Sequence, residues 1–170
     1  MIILGIDPGT ATTGWGFIRV ESPKKIQVMK YGLIETDKSG TPSKRLASIN
    51  SQLSYLIKKY NPDIFAMEKL FFATNAKTAI RVGQAQGVML MAAAEANLPV
   101  YEYAPGSIKK MVSGDGRADK IKIQEAVRKV LGQSVREEKG KKTHFDNAAD
   151  ALAVAICHIY TTHHEMAKSA

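Results

Sequence analysis

The sequence predicts an α/β protein built on one mixed sheet with helices on its faces. Three observations predict it. The chain opens with three short segments of alternating or nearly alternating apolar character, separated by turn residues. Helical and strand-like patterns then alternate along the chain. The strand "DIFAME" among them is short and largely apolar, as a strand covered on both faces would be.

The elements follow in order. "MIILGID" (1–7), "TGWGFIRV" (13–20) and "KIQVMKYGLIET" (25–36) read as an antiparallel meander. "SKRLASINSQLSYLIKKY" (43–60) spaces Leu46, Ile49, Leu53, Leu56 and Tyr60 as one helical face, with Pro62 as its stop. "DIFAME" (63–68) is a buried parallel strand, and a helix rich in Ala and Gly runs from about Asn75 to Asn97. "LPVYEYA" (98–104) is a further strand, followed by helices near 105–112 and 119–131. "REEKGKK" (136–142) reads as a charged loop, and a closing helix runs from about 144 to 160. Residues 1–160 form a single domain and 161–170 a polar tail. No internal repeat or linker divides the chain.

The bulk numbers narrow the class. At 170 residues the chain is long enough to bury a core without staples. One cysteine, Cys157, excludes an intrachain disulfide framework and suits a reducing cytoplasm. It and Trp15 read as core residues. No signal peptide is visible, and Glu95 interrupts the nearest candidate for a span, "VMLMAAAEANLPV", so no membrane span is expected. Lys and Arg total 24 against 16 Asp and Glu, a net charge of +8. That balance makes nucleic acid the first partner to consider and an acidic membrane surface the second.

Carboxylates mark the candidate site. Asp7 ends the first strand, and Glu68 ends the strand "DIFAME". If those strands are parallel neighbours, both acids emerge at one sheet edge, where open α/β sheets place their sites. Asp150 lies in the closing helix among Ala148, Ala149, Ala151 and Leu152, where a buried carboxylate without compensation is costly. Asn147 and Asp146 share its helical face. "THFD" fits a Thr-x-x-acid capping box with Thr143 as cap, which accounts for Asp146 without a ligand role. Acids from two strands and a helix suit Mg²⁺, which takes a few carboxylates and keeps its waters. A pair of such ions can activate water and stabilise a leaving oxygen at phosphorus.

Basic and aromatic residues surround these acids in sequence. Phe71 and Phe72 fall in a strand-to-helix loop and suit base stacking, although a loop folded onto the core explains them equally well. Lys77 and Arg81 follow at i,i+4 spacing and suit phosphate contacts. Lys109, Lys110, Arg117 and Lys120 surround a Gly-Asp-Gly turn, with Lys120 in the first turn of a helix, where phosphates are favoured. Lys139, Lys141 and Lys142 add charge before the closing helix. Small residues around Gly83, Ala85, Gly87 and "MAAAEA" suit either packing on the sheet or a dimer interface. His158, His163 and His164 read as helix-end or tail residues.

"GIDPGTATTGWG", "MEKLFFATNAKTAIRVGQAQG", "YEYAPGSIKKMVSGDGRADK" and "DNAADALAVAICH" together resemble the RuvC family of Holliday-junction resolvases. The motifs occur in order across almost the whole chain. The resemblance implies an RNase H-like fold with a five-stranded mixed sheet. It implies a homodimer that binds a four-way DNA junction, nicks it symmetrically in recombination and repair, and works with the RuvA–RuvB branch-migration complex. It implies two Mg²⁺ ions per subunit, with Mn²⁺ as a substitute. The family's acids match Asp7, Glu68 and Asp150, its stacking aromatic matches Phe71, and its functional lysines match Lys109 and Lys120.

One position departs. The family's remaining ligand, usually Asp and in some members His, falls at Asn147, an amide with a single carbonyl oxygen to offer. Three readings account for it: an engineered, inactivated form; a natural variant in which Asp146 or His144 compensates; or a chain in which Asn147 is a tolerated weak ligand. The intactness of every other motif favours the first. Reduced activity is the expectation in each case where compensation fails. The rival functions are a non-catalytic junction-binding protein, an ATP-binding relative of the actin-like superfamily, suggested by "GIDPGTATTGWG", and an RNA nuclease of the same fold.

Overall fold

The computed structural model describes residues 1–22, 25–69, 76–132 and 142–169, excluding the side chains of 142–147 and 164–169. Its elements are β1 (Ile2–Asp7), β2 (Thr12–Ser22), β3 (Lys25–Glu35), α1 (Pro42–Tyr60), β4 (Ile64–Glu68), α2 (Ala76–Glu95), β5 (Val100–Tyr103), α3 (Pro105–Ser113), α4 (Lys120–Leu131) and α5 (Lys142–Ser169). The five strands form one sheet in the order β3-β2-β1-β4-β5. β1, β2 and β3 pair antiparallel, as the meander requires, whereas β4 runs parallel to both β1 and β5.

Local chemistry sets the helix ends. Thr41 caps α1, its hydroxyl accepting from the Lys44 N–H, with Pro42 in the first turn. Asn61, at φ 44°, closes the same helix in the left-handed conformation, so the stop comes one residue before Pro62. Asp119 caps α4 by accepting from the Lys122 N–H at 2.9 Å.

Strand alternation divides the core into two layers. Ile3 and Ile18 of the meander and Ala66 of β4 face α3, α4 and α5. Leu4, Ile6, Trp15, Phe17, Phe65 and Met67 face α1 and α2. The α5 layer depends on small residues: Ala148, Ala149, Ala151, Ala153 and Ala155 are all buried. A Cβ on Gly5 would collide with the Ala151 carbonyl, and one on Gly16 with the Leu152 side chain. The helix backbone therefore lies almost directly on β1.

Three expectations change. α5 runs on to Ser169, so the polar segment after 160 continues the helix instead of leaving it as a tail. It begins at Lys142, which leaves Thr143 inside the helix and removes it from the cap position. His158 is buried, and the Tyr103 hydroxyl lies 2.6 Å from its Nδ1. That hydrogen bond joins α5 to β5 and gives the buried imidazole the polar partner it requires. Cys157 and Trp15 are core residues, as expected.

Candidate active site

Strand register places the first two acids. β1 and β4 are parallel, with Ile6 opposite Met67. One step further, Asp7 and Glu68 stand side by side at the ends of the two strands. Alternation directs both toward the layer that packs on α5, the same side as Ile3 and Ala66. α5 contributes Asp150, one residue before the Ala151 carbonyl that lies against Gly5. Asp7, Glu68 and Asp150 line one cleft of about 270 Å³, together with Pro105, Ile108 and Lys109 of α3, Lys120 and Ile123 of α4, and Ala153.

The electrostatics follow from this crowding. Burial, then the Asp150 and Glu68 charges, push the Asp7 carboxyl up from 3.8 to about 7, with Lys120 opposing them. Burial and Asp150 likewise raise Glu68, opposed by Lys109. Lys120 Nζ lies 3.6 Å from Asp150 Oδ2 in a partly exposed ion pair. Such a pair contributes only about 0–1 kcal/mol, so its value lies in placing a cation beside the acids. The cleft concentrates negative charge that the protein itself only partly neutralises.

The donor set fits a hard divalent cation: carboxylate oxygens from two strand ends and a helix, in a site where lost hydration and mutual repulsion favour a positive ion. Among the described residues no group of three His, Cys, Asp or Glu is gathered closely enough to hold a metal as it stands. The side chains at 144, 146 and 147, including Asn147, lie outside the described residues. The match is therefore one of donor chemistry and shared charge.

Three supports went unseen in the sequence. Gln86, buried on α2, donates from Nε2 to the Glu68 carbonyl at 2.8 Å and holds the end of β4. The turn after Asp7 is tied down by Thr13 Oγ1 donating to the Gly9 carbonyl at 2.7 Å and Thr36 Oγ1 donating to the Thr10 carbonyl at 2.7 Å. Gly5 permits the close approach of α5 described above. Only Gly5 carried a local signal, a glycine inside an apolar strand, which marks close backbone approach.

The expected DNA-contacting residues divide into groups. Lys109 and Lys120 line the carboxylate cleft. Lys110 and Arg117 are exposed and do not line that cleft, with the Arg117 N–H donating to Asp115 Oδ1 at 2.9 Å. Lys77 and Arg81 are exposed on α2, and Arg81 lines a separate cleft with Thr10, Lys38 and Arg45. Phe71, Phe72, Lys139 and Lys141 lie outside the described residues, as does the Lys142 side chain. Among the described residues no helix is long and apolar enough to cross a membrane.

The family model for crossover junction endodeoxyribonuclease RuvC matches residues 3–158. The crossover junction endodeoxyribonuclease RuvC of Caldicellulosiruptor saccharolyticus is 44% identical over 162 residues, covering 95% of this chain and 94% of its own length. The RuvC of Alkaliphilus oremlandii is 46% identical over 161 residues, covering 95% and 94%. Thermus thermophilus RuvC, solved in complex with a Holliday junction substrate, superposes with a TM-score of 0.86 at 30% identity, covering 97% of this chain and 96% of that one. The yeast mitochondrial resolvase Ydc2 shares the fold, with a TM-score of 0.67 at 19% identity and coverages of 98% and 83%. The mixed five-stranded sheet is thus the RNase H-like architecture, and the chain belongs to the RuvC family of crossover junction endodeoxyribonucleases.

Proposed function

We propose that this chain is a structure-selective DNA endonuclease that resolves four-way junctions by paired symmetric nicks, in recombination and DNA repair. One observation carries the reading: Asp7, Glu68 and Asp150 share a single cleft with Lys109 and Lys120. Acids that would bind a cation and lysines that would bind phosphate meet in one place. Residues 1–160 act as the single nuclease domain, in the cytoplasm, with the RuvA–RuvB branch-migration complex as partner.

Asp7, Glu68 and Asp150, with Asn147 at the remaining ligand position, would hold Mg²⁺, two ions per subunit, with Mn²⁺ as a substitute. When bound, the metal supplies Lewis-acid chemistry at the scissile phosphate and makes water a stronger nucleophile. Lys109 and Lys120 draw the phosphate toward the acids, and Lys120 supports the charge that builds at phosphorus. Cleavage on the 3′-oxygen side leaves a 5′ phosphate. Phe71 and Phe72 stack on bases, while Lys77, Arg81, Lys110 and Arg117 grip the backbone.

A homodimer matches the two-fold symmetry of the junction. α2 offers the face for it: Ile80, Gln84, Gly87 and Met91 are exposed at alternating spacings of four and three residues. Ile80 is 62% and Met91 48% exposed, and nothing lies within 4 Å of the space above Gly87. Met91→Glu is expected to convert the dimer to a monomer in sedimentation equilibrium; an unchanged mass would remove α2 from the interface.

Asn147 favours a second reading, a junction binder with little or no chemistry. Losing one negative charge from the ligand set weakens or misplaces the metal. Nicking of a mobile four-way junction in Mg²⁺ separates the readings. Asn147→Asp is expected to nick at least about tenfold faster, the effect of some 1.4 kcal/mol on the barrier. Equal rates would show that the amide costs nothing. Nicking by the Asp form alone would make the present chain a binder.

A further inference from the structure

A second cleft, of about 230 Å³, opens between α1 and α2 on the sheet face opposite the carboxylates. Lys38, Arg45 and Arg81 converge on it, with Thr10 at its rim. Arg45 is fixed in place: Nε donates to Thr36 Oγ1 and Nη2 to the Thr10 carbonyl, both at 2.9 Å. Those bonds use two of the five guanidinium N–H donors, so the others remain for a ligand. Lys38 and Arg81 have no hydrogen-bond or ion-pair partner among the described residues. The neighbouring acid, Asp37, accepts from the Ser39 N–H and hydroxyl. Three cations and, among the described residues, no acid line the cleft, which leaves it positive.

The position of this cleft gives the charge a meaning. Three peptide units separate Asp7 from Thr10, so their Cα atoms are at most about 11 Å apart. The turn between them carries the chain from the catalytic cleft to the basic one. A DNA strand crossing the sheet edge at that turn would meet both. Guanidinium groups suit the fork geometry of a phosphate, and a preset Arg45 loses little entropy on binding one.

We propose that the Lys38–Arg45–Arg81 cleft is a phosphate subsite that holds a backbone phosphodiester of the DNA on the side of the sheet away from the carboxylates. The proposal rests on the junction-nuclease reading. It assigns Lys38 and Arg45, which no motif singles out, to the DNA path. It also gives Arg81 a defined partner geometry in place of a general surface role.

The test is junction affinity in Ca²⁺ across a salt series, for the unaltered chain, Lys38→Ala, Arg81→Ala, the double variant and Lys58→Ala. Lys58 sits in the last turn of α1, at the opposite end of the helix, and serves as control. Each cleft substitution is expected to lower the slope of log affinity against log salt by about 1, and the Lys58 variant to leave it unchanged. The double variant is expected to bind at least about tenfold more weakly. Thermal melts confirm folding, and Arg45, which ties the turn together, is left intact. A double variant with the parental affinity and slope would overturn the subsite alone. Failure of the unaltered chain to bind four-way DNA would overturn the nuclease reading first. A third arm adds inorganic phosphate: stabilisation of the parent but not the double variant, with no change in DNA binding, would assign the cleft to a small anion and sink the proposal.

Discussion

The two faces of the sheet are built on different principles. On the α1–α2 face the core is made of volume: Trp15, Phe17, Tyr60, Phe65, Met67 and Met89, with ring centroids of Phe17 and Tyr60 4.5 Å apart. On the α5 face aliphatics such as Ile3, Ile18 and Leu152 pack beside alanines, and Gly5 and Gly16 add closeness by letting a helix lie onto the strands. Closeness is what a three-element carboxylate site needs. Asp150 can join Asp7 and Glu68 only if its helix sits that near the strand ends. The face of large side chains carries stability, the exposed stripe of α2 and the basic cleft. The face of small ones carries the acids.

Paired substitutions break this contrast most strongly. Phe17→Ala, a buried truncation, is expected to cost about 3–5 kcal/mol in denaturant unfolding, through lost transfer energy and a cavity. Where the variant still folds, its metal affinity should stay near that of the parent. Gly5→Ala is expected to cost less, on the order of 1–3 kcal/mol by overpacking, yet to weaken metal binding because α5 and Asp150 are pushed away. Calorimetric titration with Mg²⁺ beside the unfolding curves separates the two. Equal metal affinity in both variants would show that closeness is not what the α5 face provides.

The acids themselves give an effect of opposite sign. Asp7 has a folded-state value near 7 against an ordinary 3.8. The folded protein therefore holds more protons than the unfolded chain between about pH 4 and pH 7, and stability falls as pH rises through that window. Asp7→Asn should flatten this slope and leave only the contribution of the raised Glu68 carboxyl. Without metal at pH 8 it should be more stable than its parent, on the order of 1–4 kcal/mol. Parallel pH profiles of melting in EDTA would show that Asp7 is not strained by its neighbours.

This contrast also explains what could be read in advance. Asp7 and Glu68 stand out because each ends an apolar strand, and at Glu68 solubility does not require a charge. Asp150 stood out as an acid among alanines. The order of elements implies one mixed sheet, but the parallel pairing of β1 and β4 is only a condition at that level, and the strand register meets it. The α5 tail was misjudged because its polar residues suggest solvent, although Glu165, Met166, Ala167 and Lys168 are good helix formers and no Gly or Pro stops them. His158 was misplaced because its partner, Tyr103, lies 55 positions away in sequence, and no local pattern encodes that bond. Gln86 was missed for the same reason: its acceptor is a backbone carbonyl on another element.

We propose that Asp7, Glu68 and Asp150 work as one metal-dependent nuclease site. Nick mapping on a mobile four-way junction in Mg²⁺ tests it most directly, with Asp7→Asn, Glu68→Gln and Asp150→Asn made singly in the Asn147→Asp background and junction binding measured alongside. Each is expected to lose nicking, by on the order of 10²-fold or more, while junction affinity persists. A variant that nicks at the parental rate would contradict the assignment of its residue, and three such variants would refute the site.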